Sequence, residues 1–227
     1  MNDITSPLAI LGGTFDPVHY GHLRLADDVR TALALPEVRL VPAGKPPHRV
    51  APQASARDRI AMLELGVREF PGLVVDAREI NRGGKSYTVD TLGELRREMP
   101  HTPLALLIGA DAFRGLPSWH RWSDLFVLAH LIVVPRPGIA TGTDLPDVLA
   151  REWNARRSDD PQVLRARLAG SIYLQPVAEQ PISSTAIRAA LAHGGPESVE
   201  IAGLLPAAVL AYIEANALYT HPLPHAS

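Results

Sequence analysis

The feature that most constrains the fold is an alternation of short apolar runs with longer amphipathic stretches. Six runs rich in aliphatic and β-branched residues have the length of buried strands, at 8–11, 38–41, 73–75, 104–108, 131–134 and 172–175. Segments with apolar residues three or four positions apart separate them, at 23–35, 55–70 and 88–98, and Ser55 and Thr88 are the expected N-caps of the last two. A turn rich in Trp and a short helix are expected between the fourth and fifth runs. Strands that alternate with helices build parallel βαβ units. The sequence therefore predicts an α/β fold, a Rossmann-like doubly wound parallel sheet.

The last third of the chain is less regular and carries a small helical part. Residues 136–170 are rich in Pro, Gly and charged residues, and helical spacing recurs near 147–157, 162–169, 184–192 and 206–216. We expect one domain over residues 1–227. Its Rossmann-like core spans 8–180, a C-terminal helical part spans 181–219, and 220–227 form a frayed tail.

Composition excludes several classes of protein. The 22 Lys plus Arg and 24 Asp plus Glu give a net charge of −2, so we expect no nucleic-acid or membrane binding and only local affinity for phosphate. The absence of Cys excludes disulfides, thiolate zinc sites and cysteine nucleophiles. Residues 1–7 lack the pattern of a secretory signal, and no apolar run approaches the ~20 residues that span a bilayer. We expect a cytoplasmic protein; its oligomeric state stays open, and a homo-oligomer is compatible with the sequence.

The segment that follows the first strand has the composition of a phosphate site. It reads Gly12-Gly13-Thr14-Phe15-Asp16-Pro17-Val18-His19-Tyr20-Gly21-His22. Glycines let backbone approach a ligand, and the amides at a helix start attract anions. His19 and His22 are three positions apart, on one helix face, and Gly21 between them leaves room for a large group. A structural or surface histidine pair, or a metal pair, is the alternative, although no nearby carboxylate completes a ligand set.

A second segment with the same character opens a helix after the last strand. Ser183, Ser184 and Thr185 place three hydroxyls at the helix start, and Arg188 lies one turn beyond Ser184 on the same face. An arginine there can hold phosphate oxygens through two hydrogen bonds. Taken alone, the motif also fits an ordinary Ser/Thr N-cap beside a solvated arginine.

Together the two segments resemble the paired signatures of the nucleotidyltransferase superfamily, Gly-Thr-Phe-Asp-Pro with His-x-Gly-His and Ile-Ser-x-Thr/Ser-x-x-Arg. Within it, residues 8–219 most resemble the bacterial nicotinate-mononucleotide adenylyltransferases. Further matching segments lie at 46–49, 86–92, 109–111, 119–122 and 136–138. His120 stands where such proteins carry an aromatic residue such as Tyr.

The resemblance implies transfer of the adenylyl group of ATP to nicotinate mononucleotide, which gives deamido-NAD and pyrophosphate. The implied attack is in line and direct, without a covalent intermediate. The attacking phosphate oxygen is already ionised at neutral pH, so it needs no general base. The resemblance implies that Mg²⁺ is bound through the phosphates, with no fixed protein ligand. The catalytic residues it implies are His19, His22 and Arg188.

Binding roles also follow from the resemblance. For ATP and its phosphates the implied residues are Gly12, Gly13, Thr14, Phe15, Gly21, Ser183, Ser184, Thr185, Lys45 and Asp111. For nicotinate mononucleotide they are His48, Arg49, Tyr87, Thr88, Trp119, His120 and Arg136.

Two alternative functions remain open on the sequence. One is a phosphopantetheine adenylyltransferase, although those chains are shorter and lack the Ser-Tyr-Thr and Trp-x-x-Trp segments. The other is a non-catalytic nucleotide-binding regulator of the same fold, against which the intact His19, Gly21, His22 and Arg188 argue.

Overall fold

One parallel sheet forms the centre of the molecule. The computed structural model describes residues 6–45, 51–135, 142–178, 180–193, 201 and 203–220. Its strands are β1 (Leu8–Gly13), β2 (Val38–Pro42), β3 (Leu73–Val75), β4 (Leu104–Gly109), β5 (His130–Val134), β6 (Arg157–Ser158) and β7 (Ile172–Leu174). They are ordered β3-β2-β1-β4-β5-β7-β6, and every pair is parallel. The predicted doubly wound parallel sheet is confirmed.

Helices cover both faces of this sheet. They are α1 (Tyr20–Ala32), α2 (Ala56–Gly66), α3 (Arg78–Arg82), α4 (Thr88–Glu98), α5 (Ala110–Arg114), α6 (Leu125–Leu128), α7 (Asp147–Arg156), α8 (Val163–Ala166), α9 (Ser184–His193) and α10 (Ala207–Ala215). None of these helices is both long and apolar enough to cross a membrane.

Alternation along the strands divides the core into two layers. In β1, Ala9 packs with the apolar side chains of α1, α2 and α10, while Leu8 and Ile10 pack with those of α4. Successive side chains of a strand point to opposite faces, so a strand that is covered on both sides is apolar at nearly every position. This double burial explains why the strands appear in the sequence as continuous apolar runs.

The direction of winding reverses beside β1. The chain passes from β1 outward to β2 and β3 and then returns to form β4 on the other side of β1, with Leu11 opposite Leu107. Ligands of open α/β sheets bind at such a reversal, beyond the carboxyl ends of the strands. The ends of β1 and β4, at Gly13 and Gly109, therefore mark the expected ligand site.

Several element boundaries differ from those predicted. Helix α1 begins at Tyr20 rather than 23, because its first turn carries histidines and a glycine that give no apolar periodicity. It ends at Ala32 rather than 35, and Ala34 then adopts a left-handed conformation with φ +47°. Strand β1 runs through both glycines, which pair with the end of β2. Ser55 caps α2 as predicted by accepting from the Asp58 amide at 3.2 Å.

Some short elements were not predicted. Between β4 and β5, where one short helix was expected, the structure has both α5 and α6. Helix α3 has five residues and β6 has two, and both are too short to produce a periodic signal. Thr88, expected to cap α4, is the first helical residue, and Tyr87 occupies the N-cap without a side-chain hydrogen bond. The C-terminal helices α9 and α10 share a core layer with α1 and α2. The division into a core over 8–180 and a helical part over 181–219 stays a prediction, and of the expected tail only Thr220 is described.

Candidate active site

A two-lobed cleft lies at the reversal between β1 and β4. Its large lobe has a volume of about 560 Å³ and its small lobe about 170 Å³. Both lobes are lined by Gly12, Gly13, Thr14, Leu107, Ile108 and Trp119. Because they share these residues, the two lobes are adjacent to each other at the ends of the two central strands.

The structure brings most of the predicted site residues to this cleft. The large lobe adds Phe15, His22, Ser184, Thr185 and Arg188. The small lobe adds Tyr87, Thr88 and His120. Five others, at positions 19, 21, 45, 111 and 183, are not among the lining residues, and their placement is given below. His48, Arg49 and Arg136 lie outside the described residues.

Residues 12–15, at the end of β1, form the glycine turn that lines both lobes, and the ring of Phe15 packs against it. Phe15 is buried and adopts a left-handed backbone conformation with φ +50°, which costs free energy for a residue with a large side chain. A Cβ at Gly13 would lie 2.8 Å from Phe15 Cζ. Gly13 is therefore required by the protein's own packing, whatever the ligand.

The two histidines form a stacked pair of which only one reaches the cleft. Their ring centroids are 3.7 Å apart at an angle of 26°, and Phe15 contacts His22 edge-on at 5.0 Å. His19, the N-cap of α1, is 4% exposed, and burial lowers its pKa to about 4. Its Nδ1 has no hydrogen-bond partner within the described part of the chain. At neutral pH His19 is thus an uncharged ring behind His22.

Gly21 lies directly against the ring of His19. A Cβ at position 21 would lie 2.9 Å from both Cε1 and Nδ1 of His19, and 3.3 Å from Cβ of Ile182. The His19 ring therefore occupies space that the absence of a side chain at position 21 leaves open. A contact between Gly21 and phosphate stays a prediction.

The hydroxyls at the start of α9 have different partners. Ser183 Oγ accepts from the Ala186 amide at 3.3 Å and so caps the helix. Ser184 Oγ donates to the Pro17 carbonyl at 3.0 Å. Thr185 Oγ1 accepts from Arg188 Nη2 at 3.3 Å. All three hydroxyls therefore have hydrogen-bond partners within the protein. Ser184 and Thr185 also line the cleft, whereas Ser183 does not.

Arg188 joins the two sequence segments directly. Its Nη1 donates to the Asp16 carbonyl oxygen at 2.7 Å and lies 3.9 Å from the Asp16 carboxylate. The guanidinium is half-buried and lines the large lobe. Residues 172 positions apart are thus in contact, and a cation lies beside the glycine turn.

Sequence reasoning missed three buried residues that support this turn. The Asp16 carboxylate accepts from the amides of Gln53 and Ala54 at 2.8 and 3.0 Å and from the Tyr219 hydroxyl at 2.8 Å. Arg59, 1% exposed, donates through Nη1 to the Thr14 and Ala43 carbonyls at 2.9 and 2.7 Å.

A signal for Arg59 exists in the sequence. It shares a helix face with Met62 and Leu63, both fully buried, so a charged residue occupies the apolar face of α2. Tyr219 gives no such signal, because nothing local indicates that its partner is Asp16.

The small lobe is aromatic. The Tyr87 and His120 rings are 4.3 Å apart at 36°, and Trp119 is half-buried beside them. Arg121 follows with φ +51°, in the left-handed conformation that turns the chain there. No side chain caps α4. The amides of Asp90 and Thr91 donate to the Tyr87 carbonyl at 3.1 and 3.3 Å, so only the two amides before them, at 88 and 89, lie ahead of the helix's own hydrogen bonds.

Lys45 and Asp111 lie near the cleft but on the surface. Lys45 is exposed and forms a parallel bridge with Lys85, whose neighbour Ser86 donates its amide to the Lys45 carbonyl at 3.1 Å. Asp111 is exposed in the first turn of α5, next to lining residue Ala112. Searched over the described ranges only, no three His, Asp or Glu side chains lie close enough to hold a metal ion.

The sheet order, with the cleft at the reversal of winding, is that of a Rossmann-like nucleotidyltransferase fold. The family model described as cytidylyltransferase-like matches residues 10–190. A solved structure of Plasmodium falciparum nicotinic acid mononucleotide adenylyltransferase, complexed with NaAD, superposes with a TM-score of 0.72. It covers 96% of this chain and 100% of that chain at 16% identity, which shows a shared fold.

Two relatives are similar along nearly the whole chain. Each is named "Probable nicotinate-nucleotide adenylyltransferase". The one from Acidithiobacillus ferrooxidans is 46% identical over 216 residues, which cover 95% of this chain and 96% of the relative. The one from Halorhodospira halophila is 46% identical over 215 residues, with 95% and 96% covered. This chain belongs to the nicotinate-nucleotide adenylyltransferase family within the cytidylyltransferase-like proteins.

Proposed function

We propose that this protein transfers the adenylyl group of ATP to nicotinate mononucleotide, giving deamido-NAD and pyrophosphate by direct in-line attack. One observation carries the proposal. His22 and Arg188, from opposite ends of the chain, both line the large lobe beside the glycine turn, at the junction with an aromatic lobe. The names and coverage of the relatives support the same reaction.

We assign the triphosphate to the large lobe and the pyridine ring to the small lobe. The large lobe offers Arg188, His22 and Thr185, which are donors suited to phosphate oxygens. The small lobe offers Trp119 and Tyr87 as aromatic surfaces for a flat ring. The amides of Thr88 and Val89, at the start of α4, suit the ring carboxylate. In the nicotinamide form an NH₂ group replaces one carboxylate oxygen and offers these amides no acceptor.

The chemistry needs alignment and charge stabilisation rather than proton transfer. The attacking phosphate oxygen is ionised at neutral pH and has no proton to lose, so no general base is needed. Burial lowers the pKa of His19 to about 4, so this ring is uncharged at neutral pH. His22 and Arg188 would donate to the transferring phosphate as negative charge builds on it. A well-placed donor of this kind contributes about 2.7–4 kcal/mol to transition-state stabilisation.

We propose that Mg²⁺ accompanies ATP. A Mg²⁺ ion keeps several waters and binds chiefly through substrate phosphates. The ion, when bound, neutralises charge on the leaving pyrophosphate. Lining residues of the large lobe (Thr14, Ser184 and Arg188) would then orient the phosphates around it.

All residue roles are predictions, including the catalytic roles of His19, His22 and Arg188, and some of them are not assigned to either lobe. These are the phosphate contacts of Gly21, Ser183, Lys45 and Arg49, the ribose contact of Asp111, and the mononucleotide contacts of His48 and Arg136. The cytoplasmic location, the absence of nucleic-acid partners and the oligomeric state stay in the same category.

A substrate panel tests the proposal. ATP with Mg²⁺ is supplied with nicotinate mononucleotide, nicotinamide mononucleotide or phosphopantetheine, and pyrophosphate release is followed. We expect efficient turnover with the acid, weaker turnover with the amide and none with phosphopantetheine. Turnover with phosphopantetheine alone would overturn the assigned acceptor, and no turnover with any acceptor would identify a nucleotide-binding regulator.

A further inference from the structure

The buried carboxylate of Asp16 is the meeting point of three parts of the chain. It is 5% exposed and accepts from two amides of the 51–54 segment, which lines the large lobe. Arg188 of α9 contacts the same residue through the Asp16 carbonyl. Tyr219, four residues beyond α10, donates to carboxylate oxygen Oδ1. The end of the chain thus reaches the residue that orients Arg188.

The chain around Tyr219 adopts an uncommon backbone conformation. Ala217 and Tyr219 both adopt left-handed backbone conformations, with φ +48° and +62°. Such conformations cost non-glycine residues free energy and persist where the surrounding structure imposes them. Tyr219 is 6% exposed, and burial together with the charge of Asp16 raises its pKa, so its hydroxyl remains a donor at neutral pH.

This hydroxyl fixes how Asp16 faces Arg188. Oδ1 is held by Tyr219 and the Ala54 amide, whereas Oδ2 is held by the Gln53 amide and lies 3.9 Å from Arg188 Nη1. At that distance Arg188 donates to the Asp16 carbonyl instead of forming a close ion pair. The Tyr219 hydroxyl is one of three donors to this carboxylate. With only the two amides left, the carboxylate would be freer to turn toward the guanidinium and compete with phosphate for its donors.

We propose that Tyr219 is a positioning residue for nucleotide binding, which acts through Asp16 to keep Arg188 available for phosphate oxygens. It has no contact with the substrate and is not a catalytic residue. The inference rests on the proposed function only in taking the triphosphate of ATP as the ligand of Arg188.

Tyr212 provides a matched control. Its hydroxyl also donates from the C-terminal segment to a carboxylate of the first part of the chain, Asp58 Oδ1, at 2.9 Å. Asp58 lies in the first turn of α2 and is not among the residues that line the cleft. Tyr212→Phe therefore removes a similar hydrogen bond of the same segment without changing Asp16 or Arg188.

The test compares Tyr219→Phe, Tyr212→Phe, Arg188→Gln and the double variant Tyr219→Phe/Arg188→Gln in the full chain. The readouts are the dissociation constant for a non-hydrolysable ATP analogue, kcat/KM for ATP, and Tm. We expect Tyr219→Phe to weaken analogue binding about tenfold and Tyr212→Phe to change it less than about twofold. In the Arg188→Gln background, Tyr219→Phe should add almost nothing to the loss of binding.

A purely structural role for Tyr219 would give a different result. Its effect on binding would then be the same with and without Arg188, or would match that of Tyr212→Phe, and either result overturns the proposal. Tm reports stability separately from binding. If Tyr219→Phe still lowers Tm in the Arg188→Gln background but no longer weakens analogue binding there, the binding effect acts through Arg188 and not through stability.

The analogue titration needs no turnover, so it distinguishes this inference from the proposed function. If the unmodified protein fails to release pyrophosphate with nicotinate mononucleotide, the proposed function fails. Loss of analogue binding that depends on Arg188 would still support the role of Tyr219.

Discussion

The two lobes of the cleft are built in different ways. The large lobe depends on buried groups from distant parts of the chain: Arg59 and Tyr219 support the glycine turn from α2 and from the C-terminal segment. The small lobe is made by two surface turns, and its stacked rings, Tyr87 and His120, come from segments 33 residues apart. The comparison predicts that substitutions in the large lobe lower activity or stability more than substitutions in the small lobe.

The largest expected effect is at the surface of the large lobe. His22→Ala should lower kcat by about 100- to 1,000-fold, because a fixed donor to the transferring phosphate is lost. Steady-state kinetics with ATP and nicotinate mononucleotide measure the change. A loss under about threefold would remove His22 from the chemistry and weaken the contrast between the lobes.

Acid should destabilise the large lobe through its buried histidine. The folded-state pKa of His19, about 4, lies below the ordinary value of 6.5, so the unfolded chain binds more protons between these pH values. The free energy of unfolding is therefore fully retained above pH 6.5 and falls by about 3 kcal/mol as the pH drops through 4. Burial also lowers the pKa of His130, which acts in the same direction.

Chemical denaturation at several pH values measures this slope. His19→Gln should be less stable at neutral pH and show a shallower dependence on pH between 6.5 and 4. If the free energy of unfolding falls equally in both proteins between pH 6.5 and 4, the buried ring does not titrate in this window.

A side chain at position 21 should crowd the histidine pair and lower both stability and activity. Gly21→Ala places a Cβ 2.9 Å from the His19 ring, and we expect it to lower the free energy of unfolding by about 2 kcal/mol and to reduce kcat. Gly93→Ala in α4 is the matched control, because its Cβ would meet nothing within 4 Å. Alanine there should stabilise the helix by about 0.5–1 kcal/mol. Equal behaviour of the two variants would contradict the packing described for Gly21.

The smallest effect is expected on the ring side. His120→Ala removes the contact with Tyr87 and should raise KM for nicotinate mononucleotide about threefold, with KM for ATP unchanged. His101→Ala, at an exposed histidine just before β4, should change neither constant. A larger increase in KM for ATP than for the mononucleotide would reverse the assignment of the two lobes.

Much of the fold was predictable because its determinants are local. The alternation of apolar runs with amphipathic segments gave six of the seven described strands, and the Ser55 cap marked the start of α2. The short α3 and β6 were missed, since five and two residues carry no periodicity. The N-cap of α4 was misplaced by one residue, because Thr88 is a common capping residue and Tyr87 is not.

The sequence by itself determined the layered α/β architecture and the residue types that could meet a phosphate. Only the tertiary structure decided which of them face the cleft: His22 does, while His19 is buried behind it in the space that Gly21 leaves. It also showed that Tyr219 reaches Asp16 across 203 positions. The physical reason is that secondary structure follows from neighbouring residues, whereas side-chain partners depend on how distant segments pack, which no local pattern records.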